Sequence, residues 1–134
     1  MTDYLITLTV SGAPPSMKNQ RRIIRHRGTG RPMLIKSADA LHYEQSFSMQ
    51  VPQDKRIGYD GPVSVRARIW YPSRRQDLDM EYLCDLLQRC NVLKNDRQIV
   101  HKECWKRLSK DYPRVHLTIA KWEEEDASPR SERD

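Results

Sequence analysis

Asp77 and Asp79 stand one residue apart, directly after Arg74-Arg75-Gln76. In an extended backbone, residues i and i+2 project to the same side, so the two carboxylates would face one point. Adjacent carboxylates raise one another's pKa unless a cation lies between them, and oxygen ligands of this kind suit Mg²⁺, with Mn²⁺ as a substitute. A Mg²⁺ held by a few carboxylates keeps several waters. It can therefore help generate a hydroxide nucleophile and neutralise charge on a scissile phosphate, the two things phosphodiester hydrolysis needs. A third carboxylate, Asp96, sits at a turn after the next helical stretch, where the returning chain can come back to the first two. Asp77, Asp79 and Asp96 are thus the candidate catalytic and metal-binding residues, and no organic cofactor is expected. The same Asp-x-Asp tripeptide also suits the N-terminal cap of a helix starting near Met80.

The elements that must position these residues can be read from periodicity. Tyr4 to Val10 alternates with period two and predicts a first strand, which Gly12-Ala13-Pro14-Pro15 ends. Two short β-like runs flank Gly28-Thr29-Gly30 and suggest a hairpin. Ser37 offers an N-cap for a helix from Ala38 to Gln50, with Ala40, Tyr43 and Phe47 at helical spacing and Pro52 beyond. Val63, Val65, Ala67, Ile69 and Tyr71 share one face of a second strand, with Arg66 and Arg68 on the other. After the aspartates, Met80, Leu83, Leu86, Leu87 and Cys90 form one stripe at 3.6 residues per turn, opposite Glu81, Asp85 and Gln88. A short strand is expected around Gln98-Ile99-Val100, and a last one from Arg114 to Ile119 after Pro113. Trp70, Trp105 and Trp122, in or beside strands, are expected in the core. The order of elements gives an α+β domain over residues 1–120.

The chain has 134 residues and a formal net charge of +6. Residues 121–134 hold three basic and six acidic side chains, which leaves 21 basic and 12 acidic, or +9, on residues 1–120. Such a body attracts polyanions. Seven of the basic residues (Lys18, Arg21, Arg22, Arg25, Arg27, Arg31, Lys36) lie between 18 and 36 with no acid among them, as in a flap that contacts DNA. The acidic tail has too little apolar content to pack and is expected to be mobile. Cys84, Cys90 and Cys104 are odd in number, with no C-x-x-C pair, so no disulfide framework is expected. His101 and Cys104 lack a second half-site of zinc spacing. With no signal-like start and no long apolar run, a cytoplasmic protein is expected.

At this point a resemblance becomes specific. Arg75-Gln76-Asp77-Leu78-Asp79, then Cys84-Asp85-Leu86-Leu87 within a helix, then Asn95-Asp96-Arg97-Gln98-Ile99-Val100, resemble in order and context the motifs of the RusA family of Holliday junction resolvases. Pro14-Pro15-Ser16-Met17-Lys18-Asn19 and Ile35-Lys36-Ser37 with Tyr43 are similar to its earlier segments, so the likeness spans residues 4 to about 119. It implies a small mixed β-sheet with two main helices, and Asp77, Asp79 and Asp96 as the Mg²⁺-binding catalytic aspartates. It also implies a homodimer making paired nicks in four-way DNA during recombination and repair, of a kind often carried by prophages. The DNA-contacting set is then Lys18, Asn19, Arg21, Arg22, Arg25, Lys36, Arg74, Arg75 and Lys94. Two positions depart from the pattern: Met80 replaces the usual Asn, and Leu83 stands nearest the usual lysine. A basic residue such as Lys94 or Arg75 could supply that charge; alternatively the chain is a silent module that binds branched nucleic acid by charge and shape. A restriction-type reading fails because Glu103-Cys104-Trp105-Lys106 has one residue too many for Asp/Glu-x-Lys.

Overall fold

The computed structural model describes residues 4–15, 21–25, 32–36, 38–76 and 78–123. Strand β1 (Tyr4–Ser11) is followed by a hairpin of β2 (Arg21–Arg25) and β3 (Pro32–Lys36), then helix α1 (Ala38–Gln50) and strand β4 (Val63–Tyr71). Helix α2 (Met80–Arg89), strand β5 (Ile99–Leu108) and strand β6 (Arg114–Lys121) complete the order. Four strands form one sheet in the order β1-β6-β4-β5, while β2 and β3 pair only with each other. Neighbours β1/β6 and β6/β4 are antiparallel, and β4/β5 are parallel. The result is the expected mixed sheet with two helices in an α+β domain. Among the described residues no helix is long and apolar enough to cross a membrane.

The parallel pair explains the placement of the site. Two parallel neighbours cannot be joined by a tight turn and need a crossover of a dozen or more residues. Here that crossover is α2 with the loops at its ends, and those loops carry the three candidate aspartates.

One face of the sheet is apolar because alternation sends Val63, Val65, Ala67, Ile69 and Tyr71 of β4 to it, all fully buried. Ile6, Leu8 and Val10 of β1 and Val115, Leu117 and Ile119 of β6 join them, and α1 and α2 supply Phe47, Leu83, Leu86 and Leu87 to the same core. The helices are also pinned to one another. Tyr82 of α2 donates its hydroxyl toward Glu44 Oε2 (3.1 Å) and Ala40 O (3.3 Å) of α1, and Arg89 pairs with Glu44 at 2.8 Å.

Two expectations are corrected. The strand expected around Gln98–Val100 begins one residue later and runs on to Leu108. As an edge strand with polar residues on both faces, it shows no clean alternation, and its ladder with β4 sets its length. The three tryptophans are not core residues. Trp70 and Trp105 are half-buried on the sheet face opposite the helices, under the guanidinium groups of Arg114 (3.9 Å) and Arg68 (5.2 Å). Trp122 is exposed and stacks on His101.

Candidate active site

Asp79 is the N-cap of α2: its Oδ1 accepts from the Tyr82 amide at 3.2 Å. The capping role read from the tripeptide is therefore real, and it fixes the carboxyl at the start of the helix. Asp77 lies outside the described residues. Arg74 and Arg75 are exposed on the loop that leaves β4.

At the other end of α2, Asp96 opens a single 3₁₀ turn, Asp96–Gln98, that is unusually well tied down. Asn95 caps it by accepting from the Arg97 amide (2.9 Å), and Gln98 Oε1 accepts from the Asn95 amide (2.7 Å). Gln98 Nε2 also donates to the carbonyls of Tyr59 (2.7 Å) and Gly61 (2.8 Å), and the Asp96 amide donates to Gln88 Oε1 at 3.0 Å. The Asn-Asp-x-Gln segment thus holds the Asp96 backbone from three sides and leaves its side chain exposed.

Between these ends runs the seam of α2 against β5. In the ladder Val65 faces Lys102 and Ala67 faces Cys104, so Lys102 and Cys104 project to the helix side, while His101 and Glu103 project to the other. His101 and Cys104 therefore cannot share a ligand. Lys102 pairs with Glu81 in the first turn of α2, and this contact raises its pKa. Burial pushes the Cys84 thiol up to about 12; Lys102 opposes that rise, and Glu81, Asp96 and Cys104 add to it. Burial likewise raises Cys104, with Asp79 adding to the effect. All three cysteines are unpaired thiols, as expected.

Lys102, which pairs with Glu81 in the seam, is a candidate residue that periodicity missed. Leu83, nearest the absent lysine, is fully buried and could not present a charge. Lys94 is exposed and faces Asp60 at 3.6 Å. The signal for Lys102 was its separation of two from Cys104, readable only once β5 is known to extend that far. Of the basic flap, Lys18 and Asn19 lie outside the described residues. Arg21, Arg22, Arg25 and Lys36 are in the β2–β3 hairpin, paired Arg21 to Lys36 and Arg22 to Ile35.

Asp79 and Asp96 both offer carboxylate oxygen, chemistry that fits a hard divalent cation and not a soft one. Among the described residues no three His, Cys, Asp or Glu stand close enough to hold a metal. Elsewhere near this loop, Tyr43 Oη is buried with no hydrogen-bond partner, an arrangement that costs roughly 1–3 kcal/mol.

No curated protein sequence matches the chain. The family model for Endodeoxyribonuclease RusA matches residues 13–120, which include β4, α2, β5 and the turns between them. The α+β fold, the ordered motifs and this match over most of the chain agree: the protein belongs to the RusA family of endodeoxyribonucleases, enzymes of branched DNA.

Proposed function

We propose that the protein is a Mg²⁺-dependent Holliday junction resolvase that makes paired nicks in four-way DNA during recombination and repair. The arrangement that supports this most is that each end of α2 carries an aspartate within the matched segment: Asp79 caps its first turn, and the Asp96 amide donates to Gln88 in its last turn. Asp77, Asp79 and Asp96 would hold the cation. When bound, Mg²⁺ supplies an acidified water and neutralises charge on the scissile phosphate.

The chain's own residues do the rest. The Asp79 carboxylate, held by its cap bond, is positioned before substrate arrives, and the turn that carries Asp96 is braced through Gln98, which would remove part of the ordering cost from the reaction. Lys102, in place of the lysine missing at Leu83, adds a positive charge beside Asp96 that would orient a phosphate or the attacking water. Arg74 and Arg75 grip neighbouring phosphates, with Lys18, Asn19, Arg21, Arg22, Arg25, Lys36 and Lys94 extending the track. A homodimer with two such sites would give the paired nicks. In this reading residues 1–120 are the nuclease domain and residues 121–134 an acidic extension.

Incubating the protein and a labelled four-way junction with Mg²⁺ or Mn²⁺ tests the proposal. Paired, metal-dependent nicks are expected, with Asp77→Asn binding the junction but leaving it uncut. Binding by the native chain with no metal-dependent product would favour a silent binding module instead.

A further inference from the structure

The sheet face opposite the helices is basic, and neither the core nor the aspartate loops use it. Alternation sends Arg66, Arg68, Arg107 and Arg114 of β4, β5 and β6 to this side, where Glu103 is the one acid among the described strand residues. Arg68 and Arg107 are exposed, and the Arg66 side chain keeps 41% of its area in solvent although Glu103 lies 3.5 Å from it. Stacking over Trp105 occupies the plane of Arg68, not the N–H donors at its edge. The chain leaves β6 onto this same face. The Trp122 amide donates to Pro62 O at 2.9 Å, and the Trp122 ring stacks on His101 with 5.5 Å between centroids. A groove of about 140 Å³ is lined there by Trp122, His101, Ser64 and Arg66, among others. Directly after Trp122 come Glu123, Glu124, Glu125 and Asp126; residues 124–134 lie outside the described residues.

We propose that the acidic segment 123–126 turns back over this face and docks on Arg66 and Arg68, where it keeps other polyanions off the sheet. Reach allows it: residues 124–134 can span about 36 Å when extended, against roughly 20 Å from Ser64 to Trp70 along β4. Charge selects the occupant. A second copy on this face would set its own arginines against these, and like charges at close range repel. Nucleic acid has the right sign, but the acidic segment is tethered beside the groove. A tethered segment acts at an effective concentration of the order of millimolar, so it meets these arginines first. Each exposed ion pair is weak alone and is screened by salt; the contact therefore depends on several acids together and loosens at high ionic strength. It needs no apolar core, which suits the composition of the segment. The inference concerns the face away from the aspartates and stands whether or not the chain cuts DNA. Where it does, shielding the open face leaves the aspartate loops as the side that DNA meets.

The test uses the full chain without divalent metal. At low salt a glutamate-specific protease is expected to cut within residues 123–125 at least about tenfold more slowly in the native protein than in Arg66→Gln/Arg68→Gln, and high salt should remove the difference. Arg74→Gln/Arg75→Gln, which removes the same charge from the loop after β4, should stay protected. Equal rates in all three proteins overturn the proposal. Cleavage at Glu103, inside β5, would show that the arginine variant has unfolded, and a second comparison then decides. Glu124→Gln/Glu125→Gln/Asp126→Asn should bind oligothymidine about tenfold more tightly than the native chain. Asp39→Asn/Asp54→Asn/Asp60→Asn, an equal loss of negative charge at exposed positions off the sheet, should gain no more than about twofold. The same rise in both variants would reduce the effect to net charge and overturn the docking, as would no rise in either. Two further results overturn it by naming another occupant. Weaker oligothymidine binding by Arg66→Gln/Arg68→Gln with the protease rate unchanged assigns the face to nucleic acid, and a shift in its sedimentation with that rate unchanged assigns the face to a second copy.

Discussion

On the helix side of the sheet, the charge along the α2–β5 seam is mostly acidic: Glu81 and Asp96 lie near Lys102, and Asp79 caps the helix at its start, above a fully apolar core. On the open side the order is reversed. Arg114 lies over Trp70 (3.9 Å) and Tyr112 (4.7 Å), Arg68 lies over Trp105, and Arg66 faces Glu103 at 3.5 Å. The open-face arginines are engaged by rings and by an acid, mostly on the neighbouring strand, an arrangement that stabilises locally by roughly 0.5–1 kcal/mol each. Of the seam carboxylates, Asp79 caps the helix, Glu81 pairs with Lys102, and Asp96 is exposed on a turn whose backbone is tied to Gln88. The sheet is thus a partition: charged residues stack and pair across strands on one side, and on the other they are the residues to which the proposed function assigns the chemistry.

Substitutions can break or sharpen this contrast. The largest effect is expected at Asp79, where two roles can be separated. Asp79→Asn keeps a good cap and should leave chemical-denaturation stability nearly unchanged, while metal-dependent junction cleavage falls roughly a thousandfold or more. Asp79→Ala should lose cleavage equally and also about 1 kcal/mol of stability. Equal stability loss in both variants would make the cap the whole story.

Next is the core that supports the seam. Leu87→Ala removes a fully buried side chain and should cost about 2–5 kcal/mol in urea unfolding.

A smaller, purely positional effect is expected at Gln98. Replacing it with Leu removes its bonds to Tyr59 and Gly61 and loosens the turn under Asp96. Cleavage should fall roughly 10- to 100-fold at saturating junction, with junction affinity little changed. A drop confined to affinity would place Gln98 in DNA contact.

The smallest effects belong to the open face and to the thiols. Arg114→Ala should cost about 1 kcal/mol or less and leave cleavage at the native rate. A large loss of cleavage would mean that the open face takes part in the reaction. Burial raises the Cys84 thiol to about 12, so the folded state holds that proton longer than the unfolded chain does. Stability is then full below the unfolded thiol pKa of about 9 and declines as pH rises from there toward 12. In keeping with this, a thiol reagent at pH 8 should titrate fewer than three cysteines in the native protein and all three after denaturation.

The sequence made the helices and inner strands legible because their burial is one-sided. The alternation of β4 matches the structure residue by residue, and the stripe of α2 recovers Leu83, Leu86, Leu87 and Cys90, while Met80 is only half-buried and Tyr82 and Cys84 are buried beside it. Strand β5 was largely hidden, since an edge strand with Lys102, Glu103, Lys106 and Arg107 along it has no apolar period, and parallel pairing with β4 is a tertiary fact. Lys102 was lost with it. The tryptophans misled because arginine stacking satisfies an aromatic face almost as burial does, and periodicity cannot tell the two apart. In the site, the Asn95-to-Gln98 motif was visible as a likeness, but that Gln98 serves by gripping two carbonyls of another loop could be seen only in the fold.

The central claim is that carboxylates from both ends of α2 act together on one phosphodiester. It is tested most directly by the single-turnover cleavage rate of a four-way junction by Asp96→Asn, measured at saturating protein in Mg²⁺ with binding followed in parallel. Native-like binding with cleavage reduced roughly a thousandfold or more is the predicted result. Cleavage at the native rate would contradict the account.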